Sequence, residues 1–489
     1  MIFHLVNIIH VIMLFNSMAF LIFLPIVFAL HWLVPQKYRC LVLLLASYYF
    51  YMSWNPKYVI LILTTTVVSY FSGIIIEKRQ KDRSAKLVVV GATIFFIGLL
   101  FIFKYFNFFY GTLSSFASLF AIHLHPITLN LLLPVGISFY TFQTLSYVFD
   151  VYAGKTEAEH NLGIFATFIS FFPQLVAGPI ERTNKLLPQI KTERKFDYDS
   201  AMYGVRLMLW GFFKKIAVAD VAASYVDRAF DNLAKCTSLD LCVITFFFTI
   251  QIYCDFSGYS DIAIGTANLF GIKLTRNFYS PYFSISAKEF WSRWHISLST
   301  WFRDYVYIPL GGNKKSKYRT NVNVIITFLA SGLWHGANWT FVFWGLIHGS
   351  MQVFENMFTN KNKRPISSIG KFFRWILLFI LINISWIFFR AESISDAIYV
   401  IKRVFGGLQN PREFLHTNIG LGANLLLYSF MVITMVFVFD YFSLKFDVIH
   451  VLADKNRILI ISLEYFILSL ILVAMIIGAG ANQFVYFQF

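Results

Sequence analysis

The sequence predicts an all-α polytopic membrane protein of about ten to twelve transmembrane helices with re-entrant and amphipathic pieces, and three observations carry that prediction. Of 489 residues, 58% are hydrophobic and 19% aromatic, with 13% charged, well above the usual apolar share of about half. Apolar runs such as "MAFLIFLPIVFALHWLV", "YVILILTTTVVSYFSGIII" and "ILIISLEYFILSLILVAMIIG" approach the roughly 20 residues that cross a bilayer. The formal charge of +16 is gathered in short loops between those runs.

The densest basic loops are "EKRQKDRSAK" (77–86), "NKKSKYR" (313–319), "NKNKR" (360–364) and "DKNR" (454–457). Such loops read as cytoplasmic by the positive-inside rule, with both termini outside. Their location between apolar runs argues against nucleic acid, and their charge either only sets topology or also forms a mouth for an anionic cytoplasmic ligand. The four cysteines, Cys40, Cys236, Cys242 and Cys254, form no Cys-x-x-Cys pair and imply neither a disulfide framework nor a metal site. No cleavable secretory signal is recognisable at the start.

Residues 13–76 read as three spans interrupted at "PQKYR" and "WNPK", where proline and charge stop a helix. A fourth span follows from 87 to about 107. The apolar stretches 127–149 and 164–180 are broken by Pro134 and Gly136, and by Pro173, Gly178 and Pro179. Broken backbone at membrane depth needs protein or water around it, which predicts a cavity. The polar segment 181–199 is expected to lie along the membrane surface, and spans resume at 201–219 and 241–271.

"SISAKEFWSRWHISLSTWFRDYVYIPLGGN" (284–313) places Trp291, Trp294, Leu298, Trp301 and Tyr305 at helical spacing, with Lys288, Glu289, Arg293 and Arg303 in other directions. It predicts one amphipathic helix at an interface, stopped by Pro309, Gly311 and Gly312. Further spans are expected at 322–357, 371–389, 422–443 and 458–478, around a mixed polar stretch at 390–420. No repeat of 20 to 50 residues is visible.

His335, in "SGLWHGANWTFVFWG", stands inside an apolar run where a titratable side chain is costly. It reads either as a hydrogen-bonded core histidine or as a proton acceptor in group transfer. The neighbouring Gly332, Gly336 and Ala337 permit close approach of a backbone or a ligand. His295 reads as an interfacial or functional histidine, and His348 as structural. In "YCDFSGYSDIAIG", Asp255 and Asp261 either cap a helix or form a buried polar network, for which Arg293, Arg303 and Asp304 are the natural ionic partners. The pair His123 and His125 lacks a third ligand, so no metal site is expected. No Gly-x-Ser-x-Gly elbow, phosphate loop or His-x-x-x-x-Asp pair is present.

"YCDFSGYSDIAIG", "NFYSPYFSISAKEFWSRWHISLSTWFRDYVYIPLGGN" and "FLASGLWHGANWTFVFWGLIHG" together resemble the membrane-bound O-acyltransferase family, in its bacterial branch of alginate O-acetylation proteins, with teichoic acid D-alanylation proteins as more distant kin. "LLPVGISFYTFQTLSYVFDVY", "FFPQLVAGPIER" and the terminal "FVYFQF" extend the likeness over about residues 13–489, a single membrane-embedded domain. Residues 1–12, before "MLFNS", read as an upstream extension.

The resemblance implies a helical fold around a central thinned region, with funnels from both faces joined by a tunnel. The family's principal catalytic histidine falls on His335 and its second characteristic position on His295. The implied reaction is transfer of an acyl group, acetyl by overall likeness, from a cytoplasmic thioester toward an extracytoplasmic polysaccharide. The donor would be acetyl-CoA or an acyl carrier protein thioester, with no tightly bound cofactor. The implied partners are the lipid bilayer and an extracytoplasmic SGNH-hydrolase-like acetyltransferase, and the implied location is the bacterial cytoplasmic (inner) membrane. The competing readings are D-alanyl transfer to teichoic acid and a multi-pass transporter or flippase without acyl chemistry.

Overall fold

The computed structural model describes residues 13–80, 82–176, 178–358, 366–407, 423–453, 457–477 and 484. The proposed extension 1–12, the basic cluster 360–364, most of 454–457 and most of the aromatic tail lie outside the described residues. The chain divides into two compact units, Met1–Val205 with Ala263–Thr275, and Arg206–Ile262 with Arg276–Phe489.

Among the described residues, six helices are long and apolar enough to cross a membrane: Pro56–Lys78, Arg83–Ser118, Ser238–Leu269, Ser368–Arg390, Asn424–Ser443 and Arg457–Ile476. Met18–Leu33 is a shorter apolar helix. Their surroundings differ. The apolar window of Arg83–Ser118 is 17% buried, so its Ile94, Leu113 and Phe116 are exposed as lipid-facing side chains would be. In Ser238–Leu269 the share is 72%, which makes this a helix enclosed by protein.

In the first unit, local chemistry sets the helix ends. Ser17 Oγ accepts from the Phe20 N–H at 3.2 Å and caps Met18–Leu33, and Pro35 separates that helix from Gln36–Met52. Asn55 Oδ1 accepts from the Lys57 N–H at 3.0 Å and opens the turn that leads into Val59–Lys78. The apolar stretches predicted to be broken are broken. Residues 123–133 carry no regular structure, and Gly136, at φ +74°, starts the helix Ile137–Tyr152. A Cβ at Gly136 would stand 2.6 Å from the Leu175 carbonyl oxygen, so the glycine is required by both dihedral and space. Downstream, Leu162–Ser170 stops before Phe171 and a four-residue helix, Phe172–Leu175.

The second unit contains the π-helical turn Phe213–Asp220, the enclosed part of Ser238–Leu269, two short helices Ala287–Arg293 and Ile296–Phe302, and the hairpin Lys317–His335 with Trp339–Phe358. The two short helices correct the single amphipathic helix expected over 284–313. Helical dihedrals stop at Trp294, which is extended, and His295 follows with a φ of +44°, while Arg303–Tyr307 forms a π turn. The tryptophans do not line an interface: Trp291, Trp294 and Trp301 are buried, as is Leu298. The Asn277 carbonyl, which accepts from the Ile296 N–H at 2.9 Å, holds the chain off its helical course there.

Candidate functional site

His335 is the last residue of Lys317–His335, and the following Gly336 turns the chain to extended dihedrals. The imidazole is 2% exposed and is walled by Trp334, Trp344 and Phe389, with ring centroids 5.0, 5.0 and 5.3 Å away. The small residues around it serve packing. A Cβ on Gly332 would collide with the Phe341 carbonyl, one on Gly345 with the Phe328 carbonyl, and one on Gly336 with the Phe341 ring. Of the two readings of these glycines, close approach of a backbone holds at Gly332, which faces the Phe341 carbonyl, while room for a ligand is corrected: the Phe341 ring fills the space beside Gly336.

His295 occupies the left-handed break between the two short helices and is fully buried. A non-glycine residue there is costly and needs fixing from outside. Asn277 supplies it. Its backbone carbonyl accepts from the Ile296 N–H at 2.9 Å, and its Oδ1 accepts from the Ser297 N–H at 3.1 Å, from the Ser297 hydroxyl at 2.9 Å and from His295 Nδ1 at 3.2 Å. Tyr279 N–H donates to the Arg293 carbonyl at 2.9 Å and ties the same segment to the end of the preceding helix. Burial pushes the His295 imidazole down to a pKa of about 3, so it is neutral at physiological pH.

Both predicted histidines meet at one indole. Trp334 is 6.1 Å from the His295 ring, at 67°, and 5.0 Å from the His335 ring, at 78°. The His295 ring also meets Phe256 edge-on at 4.6 Å. These contacts assemble two buried imidazoles inside an aromatic enclosure, a setting of low dielectric in which proton affinity and hydrogen bonding count for more than in water.

The remaining predicted residues are distributed differently. Asp255 pairs with Lys215, at 2.7 Å, and Asp261 with Lys214, at 2.6 Å. Arg293 pairs with Glu289 one helical turn away, at 2.6 Å, and Arg303 with its neighbour Asp304, at 2.8 Å. The expected pairing of the two aspartates with Arg293 and Arg303 is thus replaced by pairing with lysines. Arg303 is 59% exposed in its side chain, and its pair with Asp304 is a solvated rim contact of small energetic weight.

His348 has the structural role expected of it. Trp291 Nε1–H donates to His348 Nδ1 at 3.2 Å, and His348 Nε2–H donates to Ser385 Oγ at 3.0 Å. Among the described residues, no three His, Cys, Asp or Glu side chains stand close enough to share a metal ion.

Sequence reasoning missed Asn277, Trp334, Lys214 and Lys215. An asparagine inside the aromatic stretch "NFYSPYF" and two adjacent lysines inside "WGFFKKIAVA" were the available signals, because each places a polar group where burial is expected.

Residues 158–390, which contain both histidines, match the model of the membrane-bound O-acyltransferase family. A Pseudomonas aeruginosa protein named "Probable alginate O-acetylase AlgI" is 39% identical over 426 residues, 86% of this chain and 81% of that protein. The "Peptidoglycan O-acetyltransferase" of Helicobacter pylori is 35% identical over 428 residues, 81% of this chain and 80% of its own. The "Teichoic acid D-alanyltransferase" of Streptococcus thermophilus is 32% identical over 249 residues, 48% of this chain and 60% of its own. On the breadth of these likenesses, the chain is a multi-pass membrane O-acyltransferase and belongs to the membrane-bound O-acyltransferase family.

Proposed function

We propose that the chain moves an acetyl group from a cytoplasmic thioester across the bacterial cytoplasmic membrane for O-acetylation of an extracytoplasmic cell-surface polysaccharide. The observation that carries this reading is the meeting of two buried imidazoles, His295 and His335, on the single indole of Trp334. Acetyl is favoured over D-alanyl because the relatives named for acetyl transfer share about four fifths of their length with this chain, against 60% for the D-alanyl one.

In the proposed step, an acceptor hydroxyl attacks the thioester carbonyl and His335 takes the hydroxyl proton. The new C–O bond forms, the C–S bond breaks, and the proton leaves with the thiolate as free thiol. A positioned base of this kind contributes about 10²- to 10⁴-fold in rate. His295 orients or assists from the other side of Trp334. The exposed lysines 314, 315 and 317 and Arg319 offer charge for a phosphorylated donor such as acetyl-CoA, and an acyl carrier protein thioester would meet the same patch. An extracytoplasmic SGNH-hydrolase-like acetyltransferase would complete delivery to the polysaccharide.

The test is purified full-length protein with labelled acetyl-CoA, together with the O-acetyl content of cell-surface glycan in a strain carrying only the variant. His335→Ala at normal abundance is expected to lose both activities. Near-normal surface acetylation in that strain would overturn the assignment. A thioester left intact by the wild-type protein in the presence of its partner and acceptor would instead support a transporter.

A further inference from the structure

Lys214 and Lys215 lie side by side in the π-helical turn Phe213–Asp220, and each is 4% exposed. Lys215 Nζ donates to Asp220 Oδ1 at 2.8 Å and stands 2.7 Å from Asp255 Oδ1. Lys214 Nζ donates to Ser257 Oγ at 3.0 Å and stands 2.6 Å from Asp261 Oδ2. The wider π turn lets two consecutive side chains reach the same neighbouring helix, and such turns are frequent at functional sites. Contact is direct at the backbone as well: a Cβ on Gly211 would stand 2.7 Å from the Gly258 carbonyl oxygen, and one on Gly258 2.8 Å from that of Gly211.

Buried ion pairs rarely add net stability over apolar residues of equal volume, so stability alone does not account for two of them in one turn. What they hold does. Phe256 stands between the tethered residues Asp255 and Ser257. Its ring meets His295 edge-on, at 4.6 Å and 84°, and Phe278 at 5.0 Å and 73°. Phe278 follows Asn277, the residue that clamps the His295 turn.

We propose that Lys214 and Lys215 are positioning residues for acyl transfer: by anchoring Asp255, Ser257 and Asp261 they fix Phe256, and Phe256 sets the plane of the His295 imidazole. The proposal rests on the reading of His295 as part of the site.

The experiment is a double-mutant cycle on the purified full-length protein, with transfer from labelled acetyl-CoA as the readout. One arm removes the Lys215 charges together, as Lys215→Met with Asp220→Asn and Asp255→Asn, which leaves no orphan ion. The other arm is Phe256→Leu. Each is expected to lower kcat about tenfold with the donor KM unchanged. In a His295→Gly background, neither is expected to lower the rate further by more than about twofold.

Effects that multiply in that background would overturn the proposal and leave His295 in the site. A wild-type rate in His295→Gly alone would remove the reading of His295, and the proposal with it. If the triple variant does not fold, Phe256→Leu decides: an unchanged kcat overturns the proposal, and a lowered kcat that is lost as a separate effect in His295→Gly supports it.

Discussion

Asn277 fixes the protonation pattern of His295. Its Oδ1 accepts from the Ser297 backbone N–H at 3.1 Å, a group that can only donate, so the accepting atom is oxygen and not the amide nitrogen. His295 Nδ1, 3.2 Å from the same oxygen, must then carry the proton. In the neutral ring the lone pair is left on Nε2, the nitrogen on the far side from Asn277. Replacing Asn277 by Ala removes the acceptor of three donors at a buried turn. A loss of about 1–3 kcal/mol is expected for the groups left unsatisfied, seen as lower thermal stability of the detergent-solubilised protein.

The left-handed φ of His295 allows its backbone and its ring to be separated by mutation. His295→Gly keeps a residue at home at φ +44° and deletes only the imidazole, whereas His295→Ala also adds backbone strain. His295→Gly is expected to fold normally and to transfer acetyl about ten- to a hundredfold more slowly. His295→Ala is expected to match it in rate per folded molecule but to melt lower. Equal melting temperatures would show that the turn is not strained.

The membrane class was legible because it rests on composition and on long apolar runs, which no packing detail alters. His335 was legible for a related reason: a titratable side chain inside an apolar run is conspicuous before any partner is known, whereas His295, in a charged amphipathic stretch, was singled out by the family resemblance. The break at His295 was not legible. Trp291, Trp294, Leu298 and Trp301 keep helical spacing across it, and the departure at Trp294 and His295 is held by Asn277, eighteen positions upstream of His295 in the chain. Charge pairing was misread for a similar reason. Arg293 and Arg303 have the charge to pair with Asp255 and Asp261, but Lys214 and Lys215 take those places because a π turn directs both to one neighbouring helix.

Gly332 and Gly336 differ in what a methyl group would strike. At Gly332 it meets the Phe341 backbone carbonyl, which the helix holds in place, whereas at Gly336 it meets the edge of the Phe341 ring. Both Gly332→Ala and Gly336→Ala are expected to destabilise by about 1–3 kcal/mol through overpacking. Phe341 is buried against Phe389, so Phe341→Ala is itself destabilising and serves as the reference. In the Phe341→Ala background the added cost of Gly336→Ala should largely vanish and that of Gly332→Ala should remain. Thermal unfolding of the five variants decides this, and an equal change in added cost for both glycines would contradict the contacts.

His348 and His335 are both buried histidines of the same hairpin, and their variants should separate by kind of damage. His348 accepts from Trp291 and donates to Ser385, so His348→Ala leaves both without their partner. A stability loss of about 1–3 kcal/mol is expected, with the transfer rate per folded molecule within about threefold of wild type. His335→Ala should show the reverse, a lost rate with abundance retained. Yield after size-exclusion chromatography and rate per mole of folded protein distinguish the two patterns.

The burial of His295 also has a pH signature. Its folded pKa, about 3, lies below the ordinary imidazole value of 6.5, so between those limits the unfolded chain binds a proton at this position and the folded chain does not. Stability from this site is therefore complete above about pH 6.5 and is lost progressively as the pH falls toward about 3. Groups common to both proteins cancel in a difference, so the test compares two proteins. Wild type and His295→Gly should melt with a constant offset above pH 7, and the wild type should lose more of its stability than the variant between pH 6.5 and 4. Parallel melting curves across that range would mean that the folded protein protonates His295 as readily as the unfolded chain does, and that its burial does not hold the ring neutral.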